Sequence, residues 1–166
     1  MSSCFLKTKR GLQITIRESR LNDLDEIYKI ETECFAEEAF TCIQLEYCLR
    51  SPLFITLIAE INDEPVGFIM GTIEDINGEI NGHVYTIDVK REFRRMNVGS
   101  ALLKFLEEEF LCRGARRAVL ETRFDNIAAM KLYLKHGYSQ VGIIKDYYGP
   151  GLDAVRFRKD LREKWE

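Results

Sequence analysis

The chain predicts a mixed α/β fold: a central, mostly antiparallel twisted sheet of about seven strands flanked by about four helices. Three observations predict it. Stretches with the two-residue period of strands interleave with stretches of helical period instead of segregating into blocks. The 166 residues fall within the roughly 100–200 of one domain, and no repeat, low-complexity run or Pro/Ser-rich linker divides them. Composition, 46% apolar and 31% charged, is that of an ordinary globular core and surface. Residues 1–166 are therefore expected to form a single domain, with residues 1–11 as a flexible leader.

The elements follow in order. Leu12-Gln13-Ile14-Thr15-Ile16 alternates as a half-buried strand does. Asn22 and Asp23 offer helix caps, and Leu24, Ile27, Tyr28, Ile30 and Phe35 recur at helical spacing. A second short helix covers 41–50, stopped by Ser51-Pro52. Residues 54–61 and 66–73 are rich in β-formers and joined by Asn62-Asp63-Glu64-Pro65, which predicts an antiparallel hairpin. Asn77-Gly78 and Asn81-Gly82 punctuate the path to a strand over 83–89. Residues 99–112 place Leu102, Leu103, Leu106 and Phe110 on one helix face. A strand over 115–122 precedes a helix over 126–136, closed by Gly137. Residues 138–144 and 154–157 complete the sheet.

Several function classes are excluded early. A net charge of −3, from 24 basic and 27 acidic residues, gives no general affinity for nucleic acid or a membrane surface. The longest apolar stretch, 53–59, is far short of the ~20 residues that span a bilayer. The first residues lack a secretory apolar region, so a cytoplasmic protein is expected. Five cysteines, an odd number with no C-x-x-C pair, predict reduced and mostly buried thiols. His83 and His136 are the only imidazoles and neither sits at ligand spacing from a cysteine, so no metal is expected.

The chemistry-bearing stretch runs from Ile87-Asp88-Val89 through Arg94-Arg95-Met96-Asn97-Val98-Gly99-Ser100. It is a strand, a basic turn-permissive loop and a helix N-terminus. That arrangement gathers free backbone N–H groups and the positive end of a helix dipole, which suits a phosphate or pyrophosphate. A solvated basic loop capping an amphipathic helix is the plainer explanation of the same residues. The loop resembles the acetyl-CoA loop of the GNAT acetyltransferase superfamily, Q/R-x-x-G-x-G/A. It departs at Asn97, where the family usually has glycine; asparagine is the non-glycine residue that best tolerates a left-handed backbone. Leu120-Glu121, Asn126, Ala129, Leu132-Tyr133 and Gly137-Tyr138 resemble the family's later strand and helix, L-E-x-x-x-x-N-x-x-A-x-x-L-Y-x-x-x-G-F/Y. Gly149-Pro150-Gly151-Leu152-Asp153-Ala154 after Tyr147-Tyr148 resembles the closing hairpin of the RimI-like N-terminal acetyltransferase branch, so the likeness runs from about 12 to 160.

The resemblance implies transfer of acetyl from acetyl-CoA to an amine, foremost the α-amino group of a protein or peptide N-terminus. It implies cofactor contacts from Ile87, Val89, Arg94, Arg95, Met96, Asn97, Val98, Gly99, Ser100, Asn126 and Tyr133. Glu121 occupies a general-base position, His83 a position used for base or proton-relay work, and Tyr133 that of the acid that protonates the departing thiolate. A protein α-amine, with a pKa of about 7.7–8.0, is roughly a tenth to a fifth neutral at pH 7. A lysine amine, at about 10.4, is far less so, and a base helps both. Strand-end pairing of Glu121 with Arg123, a polar strand start at His83 and core packing of Tyr133 are the structural alternatives. Phe35, Glu37 and Phe40 on one side, and Tyr147 and Tyr148 on the other, are expected to frame the acceptor. Acetylation of a small amine or a lysine side chain, and a non-catalytic CoA-binding regulatory domain, stay open at this point. So do an auxiliary subunit and a homodimer.

Overall fold

The computed structural model describes residues 4–8 and 10–162. Its strands are β1 (Cys4–Lys7), β2 (Gln13–Glu18), β3 (Phe54–Ile61), β4 (Glu64–Ile76), β5 (Glu79–Val89), β6 (Arg117–Arg123), β7 (Ser139–Ile144) and β8 (Ala154–Asp160). The helices are α1 (Leu24–Phe35), α2 (Cys42–Arg50), α3 (Val98–Cys112) and α4 (Ile127–Lys135). The strands form one sheet in the order β1-β2-β3-β4-β5-β6-β8-β7, with every neighbouring pair antiparallel except β5–β6. One face is covered by α3 and α4, where Leu102, Leu106 and Phe110 meet Ile14, Ile69 and Val84. The other is covered by α1 and α2, whose Ile27, Ile30 and Leu45 meet Ile58, Phe68 and Met70. No helix among the described residues is long and apolar enough to cross a membrane.

The mixed fold and the four predicted helices are present, with eight strands in place of seven. The extra one lies in the expected leader: Cys4–Lys7 pairs with β2, and Leu6, opposite Ile14, packs against the core. Apolar Leu6 gains burial only by pairing, which a free leader would forgo. Met1–Ser3 and Lys9 lie outside the described residues. Asp23 occupies the position before α1 but does not cap it; its carboxylate instead takes both terminal nitrogens of Arg17 and the Arg20 N–H. The described thiols are less buried than expected, with Cys112 exposed and Cys34, Cys42 and Cys48 half-buried.

Both two-residue turns of the β3–β4–β5 meander are left-handed, Asn62-Asp63 (φ 52° and 61°) and Asn77-Gly78 (φ 54° and 82°). That handedness matches the twist of the strands they join. Glu64 and Pro65 are therefore strand residues, Pro65 sitting opposite Glu60 at a register shift. Asn81-Gly82 is likewise inside β5 and is no turn. A Cβ on Gly82 would lie 2.1 Å from the Phe110 ring, so the missing side chain seats α3 on the sheet. Gly82→Ala is expected to lower unfolding stability by ~1–3 kcal/mol through overpacking, read as a drop in the urea midpoint at unchanged slope.

Two irregularities shape the centre. Met70 pairs with Thr86 and Gly71 with Val84, leaving Tyr85 as a bulge in β5. The inserted residue shifts the alternation, so Val84 before it and Ile87 and Val89 after it all face the α3 side. The parallel β5–β6 ladder also stops early: it joins Asn81–Val84 to Arg117–Leu120 and goes no further. Beyond it β5 follows β4, β6 follows β8, and the sheet forks.

Candidate active site

The fork exposes backbone groups that a continued ladder would consume. Lys90 donates its N–H to the Val66 carbonyl on β4, so the backbone groups of Val89 point the other way, into the fork. There the Val89 carbonyl accepts Arg94 Nε at 3.0 Å. Ile87, two residues back along the strand, presents its N–H along the same edge.

Above the fork, Arg95 (φ 59°) and Asn97 (φ 69°) are both left-handed and curl the loop into α3. No side chain caps α3, which leaves the first N–H groups of the helix without a side-chain partner. A cavity of about 850 Å³ opens at this point. Its wall includes Ile87, Val89, Arg94, Arg95, Asn97, Val98, Gly99, Ser100 and Asn126. Asn126 is locked as the cap of α4, its side-chain oxygen accepting Ala129 N–H at 3.1 Å. Two residues expected at the cofactor are not in the wall. Met96 is 6% exposed and packs into the core beneath the loop. The Tyr133 ring packs against Tyr138 and Phe157. Phe35, expected on the acceptor side, lines this cavity.

At the crotch of the fork His83 sits between two carboxylates. Its Nε2 lies 2.6 Å from Glu121 Oε2 and its Nδ1 2.8 Å from Glu74 Oε1. Arg156 Nε donates to the other Glu121 oxygen at 2.9 Å. Only 5% of the Glu121 side chain is exposed. Burial pushes its pKa up, but the His83 and Arg156 hydrogen bonds outweigh that and hold it below the usual carboxylate range. Burial likewise disfavours charge on His83, yet Glu121 and Glu74 together raise its pKa above the ordinary histidine value. Tyr85, thrown outward by the bulge, tilts over the His83 ring at 4.8 Å between centroids. Burial, with the charges of Tyr148 and Asp88, holds the Tyr133 phenol well above its ordinary pKa.

The acceptor side closes from two directions. Tyr147 and Tyr148 form an edge-to-face pair 4.9 Å apart. Their loop is pinned by Gly151 N–H to Asp146 Oδ1 and Asp146 N–H to Asp153 Oδ1. Burial and the neighbouring Tyr147 and Glu121 push the Tyr148 phenol up to about 12. Opposite, the turn Ala36–Glu38 carries exposed Glu37, while Glu38 pairs with Arg123 of β6 at 2.7 Å. Phe40 packs into the α1–α2 core and frames nothing.

Sequence reasoning overlooked Glu74 and Arg156. The two-residue Asn77-Gly78 turn was the available signal for Glu74, since it fixes Thr72 opposite His83 and puts Glu74 one diagonal step away. Arg156 carries no local signal; its register opposite Glu121 arises from a β6–β8 pairing made across 34 intervening positions.

The model of the acetyltransferase (GNAT) family matches residues 22–138. The chain belongs to the GNAT acetyltransferase family. An N-alpha-acetyltransferase of Sulfurisphaera tokodaii is 33% identical over 90% of this chain and 95% of its own. The crystal structure of Ard1 from Thermoplasma volcanium is 26% identical, with TM-score 0.77, and covers 89% of this chain and 97% of that one. The ribosomal-protein-S18-alanine N-acetyltransferase from Escherichia coli shares the fold at TM-score 0.78 and 24% identity, covering 89% and 94%. This GNAT enzyme is thus an acetyl-CoA-dependent N-acetyltransferase. The uncapped α3 N-terminus, the left-handed loop and the free edge of β5 fit the cosubstrate's pyrophosphate and amide groups. Since Asn97 supplies the left-handed turn, a β-branched residue there is strained by ~1–2 kcal/mol. Asn97→Val is therefore expected to weaken acetyl-CoA binding about tenfold in calorimetric titration, whereas Asn97→Gly preserves it.

Proposed function

We propose that this enzyme acetylates the α-amino group of protein N-termini, with His83 and Glu121 as a coupled base and Tyr133 as the acid. The observation that carries this reading is the 2.6 Å His83–Glu121 contact at the crotch of the fork, beside the only stretch of β5 with a free edge. The 33% identical relative named N-alpha-acetyltransferase supports it. An α-ammonium group needs only a mild base near neutral pH, and a carboxylate-linked imidazole is one. Because the two groups touch, the proton taken from the acceptor belongs to the pair. Glu74 fixes the tautomer of His83, and Arg156 fixes the Glu121 rotamer.

When bound, acetyl-CoA supplies an acetyl group already activated as a thioester. Val98, Gly99 and Ser100 would hold its phosphates, Arg95 would add charge, and Asn126 would line the pantetheine side. The Ile87 and Val89 amides would donate to the carbonyl oxygen as it gains charge. Tyr133, kept protonated by burial, holds the proton that the departing sulfur requires. Glu37, Tyr147 and Tyr148 would form the acceptor entrance, where Glu37 attracts the incoming ammonium and the two tyrosines hold the first residues of the peptide.

Thiol release from acetyl-CoA, measured with free N-terminal peptides, the same peptides blocked at the α-amine, and polyamines, tests the acceptor. Release with free peptides alone is expected. Release confined to polyamines, or equal release from blocked lysine-containing peptides, refutes it. The pH dependence tests the base. Glu74 raises the His83 pKa, so the pair sheds its proton only at higher pH. Removing that carboxylate in Glu74→Gln should move the acid limb of the kcat profile to lower pH. A limb that stays in place removes His83 from the base.

A further inference from the structure

A second titratable cluster lies further along the same face of β5, under α1, and the reaction just described does not use it. Glu31 of α1 and Asp88 of β5 are each 1% exposed. Glu31 Oε1 accepts the Phe40 N–H at 2.9 Å, and Asp88 Oδ1 accepts the Thr86 hydroxyl at 3.3 Å. The remaining oxygens, Glu31 Oε2 and Asp88 Oδ2, are buried with no donor. No basic side chain among the described residues pairs with either group. Two buried carboxyl groups that face each other, each with an orphan acceptor, lack one thing. A single proton between them satisfies both oxygens and leaves one charge where there would be two.

We propose that Glu31 and Asp88 share a proton, and that this bond latches the acceptor-side segment 36–40 to the strand that carries the acetyl-CoA amides. Glu31 reaches both partners: its Oε1 holds the Phe40 backbone at the end of that segment, and its carboxyl group hydrogen-bonds that of Asp88, which lies between Ile87 and Val89. The latch rests on the reading of residues 36–40 as the acceptor side. Asp88 and Glu31 are positioning residues, acting through the segment and the strand. The groups that face the pair are the Cys34 thiol on α1, Thr86 on β5, Arg94, whose Nη2 lies 3.6 Å from Cys34 Sγ, and the Tyr133 phenol on α4. Arg94 is engaged with the Val89 carbonyl and does not reach the carboxyls.

Burial and the facing Glu31 hold the Asp88 carboxyl well above its ordinary range. Between the unfolded and folded pKa the native state keeps a proton that the unfolded chain has released. Stability conferred by the shared proton therefore falls as pH rises through that window.

The test uses the whole chain and four variants: Asp88→Asn, Asp88→Ala, Glu31→Gln and the Asn/Gln double. At neutral pH, where exposed carboxyls are ionised, the infrared spectrum of the wild type should contain one protonated-carboxyl stretch that Asp88→Asn removes. Asp88→Asn should flatten the fall of the melting temperature with rising pH. Asp88→Ala should raise the acceptor KM by at least ~10-fold while acetyl-CoA affinity moves less than ~2-fold, and Asp88→Asn should restore KM to within ~3-fold of wild type. An absent band in the wild type, or an unchanged pH slope in Asp88→Asn, overturns the shared proton. Acceptor KM and acetyl-CoA affinity moving together in Asp88→Ala overturns the latch. If Asp88→Ala fails to fold, the wild-type band and the Glu31→Gln slope still decide. The spectroscopic and stability arms involve no acceptor, and the KM arm uses whichever amine turns over, so a failed N-terminal reading is distinguishable from a failed latch.

Discussion

Glu121→Gln should lower kcat by at least ~100-fold while leaving acetyl-CoA affinity nearly unchanged, the mark of a group that acts in the chemical step. The substitution keeps side-chain volume and an oxygen for Arg156, so the fork retains its shape. What disappears is the charge that sets the protonation of His83 and the second site to which an acceptor proton can pass. The two partners act as one unit, so removing His83 as well should add little to the loss. The measurement is single-turnover acetyl transfer at saturating cosubstrate, with binding followed separately by calorimetry. A variant that turns over within about threefold of wild type would make Glu121 a structural partner of Arg156 and leave His83 as the base.

The second large effect concerns folding. Lys159 of β8 and Glu107 of α3 form an ion pair at 2.5 Å with side chains 6% and 9% exposed. The ammonium also lies 5.4 Å from the centre of the Tyr138 ring. Lys159→Met leaves the Glu107 carboxylate buried against apolar neighbours and is expected to cost about 3–5 kcal/mol of unfolding stability. Replacing both partners, as Glu107→Leu with Lys159→Met, should recover most of that loss, because a buried pair is worth little more than apolar packing of the same volume. Equilibrium urea unfolding of the two variants checks both statements. A single variant as stable as wild type would mean that water reaches Glu107.

The sequence carried the local elements well because local physics fixes them. The helix expected over 41–50 forms, with Thr41 and Gln44 as a reciprocal cap that was not foreseen, Asn126 caps α4, and Asn97 takes the left-handed conformation for which it was singled out. Pairing between distant segments was less legible. β1 was missed because a four-residue edge strand offers almost no period to read. Gly82 passed for a turn residue because nothing local announces that a phenyl ring from α3 will rest on it. The candidate site divides in the same way. The loop from Arg94 to Ser100 is contiguous and could be recognised, and so could His83 and Glu121 as separate residues. Their contact, and the hold that Glu74 and Arg156 have on them, depend on a bulge and on strand registers set by the whole sheet. Glu31 and Asp88 stand 57 positions apart, and only packing makes neighbours of them.

The early end of the β5–β6 ladder has a further consequence. The backbone ladder between β1–β5 and β6–β8 holds only four residue pairs, Asn81–Val84 against Arg117–Leu120. The cavity wall draws its residues from both halves, β5 and the start of α3 on one bank and Asn126 with the first turn of α4 on the other. A cosubstrate lying across that gap replaces the missing rungs with its own contacts. It works as a clasp, and the free energy of its binding is also cohesion between the halves.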